Sequence, residues 1–161
     1  LPLFYNHLNT GRPDPDNRVF NRYASNYLDE SNEPLYPFGY GLSYTDFVYG
    51  ELQISSETLP KNGELTVSVT VTNKGNYDGY ETVQLYLHDI YAEIARPVKE
   101  LKGFERVFLK SGESRDVKFV ITEDDLKFYN SELHYVYEPG EFDVMVGPNS
   151  RDVQTKSFQA K

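Results

Sequence analysis

From residue 47 onward, apolar and polar side chains alternate in short runs. The alternation is sharpest over residues 64–72, where Leu65, Val67, Val69 and Val71 share one face and Thr66 and Ser68 lie on the other. A period of two is the mark of a half-buried strand. It recurs over residues 80–88, with Val83, Leu85 and Leu87 aligned, and over 115–121, with Val117, Phe119 and Ile121 aligned. Shorter runs at 47–54, 104–109, 133–137, 141–146 and 153–158 predict further strands. Between them lie Asn73-Lys74-Gly75-Asn76, Lys110-Ser111-Gly112-Glu113 and Glu138-Pro139-Gly140, each with a glycine able to supply a positive φ. Thr122-Glu123-Asp124-Asp125 has the form of a capping box and predicts one helical turn before Leu126. Short strands joined by hairpin-like or Greek-key-like turns predict an all-β, antiparallel β-sandwich over residues 47–161. Its expected core is Leu65, Val67, Val69, Val71, Val83, Leu85, Leu87, Val117, Phe119, Ile121, Phe142, Val144 and Val146.

Residues 1–46 follow neither period, and they read as an extended, irregular arm ahead of the sandwich. Arg12-Pro13-Asp14-Pro15-Asp16-Asn17 forms a turn cluster within it. Near its end, Pro34-Leu35-Tyr36-Pro37-Phe38-Gly39-Tyr40-Gly41-Leu42-Ser43-Tyr44-Thr45 contains no charge. Two prolines and two glycines exclude an ordinary helix, and the apolar side chains have no use in a solvated loop. The segment reads as a surface to be buried. Phe38, Leu42 and Tyr44 are expected against the sandwich, with Thr45 leading into the first strand.

Composition narrows the function. With 25 Asp plus Glu against 16 Lys plus Arg, the chain lacks the electrostatic footprint of a nucleic-acid binder. No apolar run is long enough to cross a bilayer, and no basic amphipathic helix is present to lie on one. The absence of cysteine excludes disulfides and thiolate metal sites but does not choose a compartment. The chain opens at Leu1 and has its one methionine at Met145, so it is expected to be a piece of something longer.

The residues offer little catalytic chemistry. His7, His88 and His134 share no metal-ligand spacing, and His88 falls opposite the apolar face of its strand. Asp14, Asp16 and Asn17 have calcium-like types, but an Asp-Pro turn accounts for them. Glu123, Asp124 and Asp125 are close enough to raise the question of a glycosidase pair, yet negative charge at a helix start needs no catalytic reason. Residues 41–45 depart from the nucleophile-elbow pattern at Thr45. Catalytic and metal sites are therefore none, and no cofactor is implied. The 14 Tyr and 10 Phe could form a sugar-stacking platform, although tyrosines also belong on half-wet strands and no tryptophan is present.

The string Tyr5-Asn6-His7-Leu8-Asn9-Thr10-Gly11-Arg12-Pro13, followed by residues 34–45, resembles the tail of the family 3 glycoside hydrolases, the β-glucosidases. Val71-Thr72-Asn73-Lys74-Gly75, Val83-Gln84-Leu85-Tyr86-Leu87, residues 96–105 (Arg96-Pro97-Val98-Lys99-Glu100-Leu101-Lys102-Gly103-Phe104-Glu105) and Leu109-Lys110-Ser111-Gly112-Glu113 are similar, in order, to that family's C-terminal fibronectin type III-like domain. The resemblance implies an immunoglobulin-like sandwich and two catalytic carboxylates, an aspartate nucleophile and a glutamate acid/base, both upstream of this chain. It implies a non-catalytic structural or interaction module of a retaining β-glucosidase acting on terminal β-D-glucosyl residues; a carbohydrate-binding module is the alternative. The implied partner is the catalytic part of the same parent, with a homo-oligomer or a polysaccharide as further possibilities. The implied location, periplasmic or secreted, rests on resemblance alone. Tyr5, His7, Arg12, Tyr36, Phe38, Gly39, Tyr40, Gly41, Leu42 and Tyr44 are the expected interdomain contacts, and the apolar residues of the stretch 1–5 are expected to be exposed, or covered by a neighbouring molecule, once that partner is removed.

Overall fold

A computed structural model describes residues 4–9, 12, 25, 27 and 31–161. The turn cluster at 13–17 and residues 1–3 lie outside the described residues. Eleven strands and one helical turn run in the order β1 (Phe47–Tyr49), β2 (Gln53–Ile54), β3 (Thr58–Leu59), β4 (Leu65–Asn73), β5 (Gly79–Asp89), β6 (Glu100–Leu109), β7 (Ser114–Ile121), α1 (Glu123–Leu126), β8 (Phe128–Tyr129), β9 (Tyr135–Val136), β10 (Gly140–Gly147) and β11 (Gln154–Ala160). They form two sheets and a small β8-β9 hairpin. In the first sheet β4 pairs antiparallel with β7 along one edge, and with β1 and then β2 along the other. The second runs β3-β11-β10-β5-β6, antiparallel except for the short β3-β11 pair.

The alternation in sequence is the alternation in burial. Leu65, Val67, Val69 and Val71 of β4 face Val83, Leu85 and Leu87 of β5 and Phe142, Val144 and Val146 of β10 in one shared core. Thr66 and Ser68 lie on the wetter side. Phe119 differs from the expected core set, being only partly buried. Its ring lies near the β6 backbone, where a Cβ added to Gly103 would come within 3.2 Å of it.

Where the apolar run is short, the strand departs from the span that alternation predicts. The apolar run at 47–54 is broken into β1 and β2 near Gly50, and Gln154 of the other sheet stitches across the break. It accepts from Leu52 N at 2.9 Å and donates to Gly50 O at 2.6 Å. The predicted strand at 133–137 contracts to Tyr135–Val136, because Leu133 turns at φ 64°. The capping box forms as expected: Thr122 N donates to Asp125 Oδ2 at 2.8 Å, and the helical turn ends after Leu126. Of the three glycine turns, only Gly112 uses a positive φ, 79°. Gly75 is required for a different reason, since a Cβ there would collide with the Thr45 side chain and approach Asp46 N at 2.7 Å.

Asn73 ends β4 with no exposed surface. Its Oδ1 accepts from Thr45 Oγ1 at 2.6 Å and Gly75 N at 3.1 Å, and its Nδ2 donates to Tyr77 O at 2.7 Å and Leu109 O at 3.1 Å. One side chain thus ties the approach to β1, the β4-β5 turn and the end of β6. Replacing Asn73 by Asp would set an acceptor against two buried carbonyls. Urea unfolding is expected to show a loss of about 2–4 kcal/mol, from unmade hydrogen bonds and a buried charge, whereas Val120→Ala on the exposed side of β7 should cost well under half of that.

Candidate functional site

Strand β5 is buried on both faces. Val83, Leu85 and Leu87 point into the sandwich, while Gln84 and Tyr86 point outward and are buried as well. What covers them is the arm. Gln84 Nε2 donates to Gly39 O at 3.2 Å and Pro148 O at 2.6 Å, and its Oε1 accepts from Tyr86 OH at 2.5 Å. Ser150 N donates to Phe38 O at 2.9 Å. Residues 37–40 close a turn through Tyr40 N to Pro37 O at 3.0 Å, with Gly39 at φ 78°. That φ suits glycine, and a Cβ at Gly39 would also run into the Gln84 carboxamide.

The first arm segment lies beside the second. Tyr5 stacks on Phe38 with centroids 4.2 Å apart and meets Tyr86 edge-on at 5.7 Å. Val98 N donates to His7 O at 2.9 Å, and Leu8 bridges antiparallel to Pro97. His7 Nδ1 is 2.9 Å from Leu8 O and therefore donates to it. The Arg96-Pro97-Val98-Lys99 run thus has a division of labour. Arg96 lies 4.5 Å above the Phe128 ring and bonds Asp89 at 3.1 Å and Glu100 at 2.7 Å, which fixes the loop. Pro97 and Val98 receive the arm, and Lys99 Nζ donates to Ser150 O at 2.6 Å, steadying the residue that holds Phe38.

The electrostatics follow burial. Desolvation holds the Lys99 ammonium below the usual lysine range, with Glu33 pulling the other way. Desolvation raises the Asp89 carboxyl, opposed chiefly by Arg96. The Tyr86 hydroxyl is raised by burial and then by Tyr5. His88, next along the outward stripe, is lowered by burial, while Asp143 and Asp89 favour its charged form and Lys99 and Arg96 oppose it.

Two clefts flank the seat. One, of about 370 Å³, lies between the two arm segments and the 98–99 and 150–151 loops, lined by Tyr5, His7, Glu33 and Lys99 among others. The second, of about 290 Å³, lies between residues 39–43 and the start of β5, and Glu81 is the carboxylate in its lining. Burial raises the Glu81 carboxyl, as acid catalysis requires, but it accepts from Tyr49 OH at 2.7 Å and has no second carboxylate across the cleft. Among the described residues no cluster of three or more His, Cys, Asp or Glu could hold a metal ion, and no helix is long and apolar enough to cross a membrane.

The expected contact residues divide into two sets. Tyr5, His7, Phe38 and Gly39 meet on the sandwich, and Tyr36 and Tyr40 pair with centroids 5.4 Å apart. Tyr5 is thus half-buried, not left exposed. Leu42 and Tyr44, expected against the sandwich, instead lie 90% and 97% exposed, and Phe38 is 46% exposed with one face on Tyr5. The backbone explains the difference. Thr45 turns inward to Asn73, which sends Tyr44 outward, and Gly41 has open space about it. Arg12 is exposed, and its carbonyl accepts from Ser25 N at 2.9 Å. The alternation does not mark Gln84 and Tyr86, because polar residues on the outward face of a strand look like ordinary wet positions, nor Lys99, a loop residue whose bond to Ser150 O only folding brings about. The family motifs that contain them were the one available signal.

The fibronectin type III-like domain family matches residues 81–150. The chain is 49% identical over 159 residues to the periplasmic β-glucosidase of Salmonella typhimurium, covering 99% of this chain and 21% of that protein. It is 44% identical over 137 residues to a β-xylosidase of Formosa agariphila, covering 84% of this chain and 19% of that one. Among solved structures it is similar to the β-glucosidase of Listeria innocua in complex with laminaribiose, with TM-score 0.89, 46% identity, and coverage of 99% of this chain and 22% of that one. The chain thus spans about a fifth of the length of these relatives.

Two measurements test the seat. Gly39→Ala should speed amide exchange at Ser150 and Val98 more than Phe38→Ala does, and Phe38→Ala should cost only about 1–2 kcal/mol, below the 3–5 kcal/mol of a fully buried ring. His88 is lowered in the folded chain, so its contribution is present above its unfolded value and is lost as pH falls through the lower folded one. Thermal melts between about pH 7.5 and pH 5.5 should therefore fall less steeply for His88→Gln than for the unchanged chain.

Proposed function

We propose that this chain, whose fibronectin type III-like domain belongs with those of the family 3 β-glucosidases and β-xylosidases, is a non-catalytic module fastened by its arm to the catalytic part of a larger retaining β-glucosidase. The observation that carries this reading is the exposure of the arm. Leu35, Leu42 and Tyr44 are 83%, 90% and 97% exposed on a segment whose backbone is bonded to the sandwich. A segment held this firmly, with its apolar side chains turned to water, is built to meet a second surface. Burying each against a partner is worth roughly 1.5–3 kcal/mol.

In this reading residues 1–46 are the interdomain arm and 47–161 the domain it carries. Tyr5, His7, Phe38 and Gly39 hold the arm to the sandwich, Tyr36, Tyr40, Gly41, Leu42 and Tyr44 face the partner, and Arg12 is a further contact with it. The nucleophile and the acid/base sit in the partner, which acts on terminal β-D-glucosyl residues. The periplasmic relative supports export of the parent.

A carbohydrate-binding role is the second reading, favoured by the exposed Tyr129 and Tyr135 rings, 5.0 Å apart on the β8-β9 hairpin, with Tyr91 also exposed. Pull-down by insoluble β-glucan, lost in Tyr129→Ala, would support it.

The chain alone is expected to leave a chromogenic β-glucoside intact. Turnover that survives purification and disappears on mutating one of its own carboxylates would refute the module reading. Leu42→Asp with Tyr44→Asp should leave the melting of this chain nearly unchanged yet lower that of the parent enzyme. Equal melting of the two parents would remove the docking role.

A further inference from the structure

The structure assigns a spontaneous covalent modification site: we infer that Asn62 deamidates through the backbone nitrogen of Gly63, and that Glu123 sets the rate. Asn62-Gly63 is the one Asn-Gly step in the chain. Residues 60–63 make a tight turn between β3 and β4, closed by Gly63 N donating to Pro60 O at 2.8 Å. The turn selects both residues. Position 62 sits at φ 55°, which Asn tolerates better than most side chains. Position 63 excludes a side chain, because a Cβ would come within 2.5 Å of the Pro60 ring and 2.9 Å of its carbonyl oxygen. The geometry therefore demands a glycine after the asparagine, and glycine is the neighbour that least hinders attack on the amide.

Once Gly63 N loses its proton it can attack Asn62 Cγ. An N–Cγ bond forms, the Cγ–Nδ2 bond breaks, and ammonia leaves with the transferred proton. Water then opens the cyclic imide at either carbonyl, leaving an aspartyl or isoaspartyl residue at position 62. No oxidant, metal or enzyme is needed. Three other asparagines are held back by their surroundings. Asn73 is buried with both amide atoms bonded, Asn149 donates to Asp152 and accepts from two backbone N–H groups, and Asn130 accepts from Glu132 N and His134 N. Asn62 is exposed, and no side-chain hydrogen bond holds its carboxamide among the described residues.

Reaction requires the turn to open, since Gly63 N–H is engaged. The brace is Glu123 at the start of α1, whose Oε1 accepts from Asn62 N and pins the turn to the helix. The product carboxylate would form close to that of Glu123, and the two would repel each other. Modification thus loosens the turn that leads from β3, an edge strand of the five-stranded sheet, into β4.

The test is peptide mapping with isoaspartate detection after incubation in warm, mildly alkaline buffer. The amide-to-acid mass gain should appear at position 62 before Asn73, Asn130 or Asn149, and Asn62→Ser should abolish it. Glu123→Ala should raise the rate at position 62, relative to Asn73 in the same sample, roughly threefold or more, and Glu123→Gln should give an intermediate value. The ratio to Asn73 separates local opening from general unfolding. Conversion first at another asparagine of the folded chain would overturn the assignment. So would an intact amide at 62 over a period in which the urea-unfolded chain converts, or a Glu123→Ala rate ratio equal to that of the unchanged chain.

Discussion

Gln84 and Tyr86 are polar side chains on the outward face of a central strand, and both are buried. A buried amide left without partners costs about 1–3 kcal/mol, so the strand cannot be folded correctly with that face bare. The arm and the loop after β10 together remove the cost. Gly39 O and Pro148 O take the two donated bonds of Gln84, Tyr86 OH takes its oxygen, and the Tyr5-Phe38 stack closes over them. The five-stranded sheet is therefore covered around Gln84 and Tyr86 on its second face by a segment that has no strand of its own, while Tyr80 and Phe104 on the same face stay exposed. These arm residues belong to the structure of the sandwich.

The same device is used at two other points. Asn73 satisfies two carbonyls and two donors from three stretches of chain, and Arg96 joins Asp89, Glu100 and the Phe128 ring beneath the loop that receives Leu8. In each case a side chain with directional bonds fixes an irregular segment against a regular one. The apolar core gives the sandwich its cohesion, but it is non-directional and cannot place a loop. Hydrogen bonds of defined geometry do.

This division accounts for the form of the arm. Its backbone is spent on the sandwich, through Phe38 O, Gly39 O and His7 O, which leaves Leu35, Leu42 and Tyr44 free to face outward. In the proposed reading, a joint made this way transmits position firmly. The carrier side is fixed by directional bonds, and the outward side presents apolar area whose burial is tolerant of small shifts.

Alternation alone fixes the strands of the core and the facing of their residues. Leu65 to Val71 and Val83 to Leu87 alternate over enough length that a one-residue slip would expose a whole row of aliphatic groups. The capping box at Thr122 was equally legible, because its chemistry is local. Two-residue pieces such as β3, the break at Gly50 and the turn at Leu133 were not, since their conformation is set by partners distant in sequence. The aromatic segment at 34–45 reads as a surface to be buried against the sandwich, yet Leu42 and Tyr44 are exposed and Phe38 is covered on one face only. Tertiary structure decided that its backbone meets Gln84 and Ser150 while Leu42 and Tyr44 turn away. The reason is physical: periodicity reports which face of a regular element is apolar, whereas an aperiodic segment takes its orientation from hydrogen bonds to residues that only folding brings near.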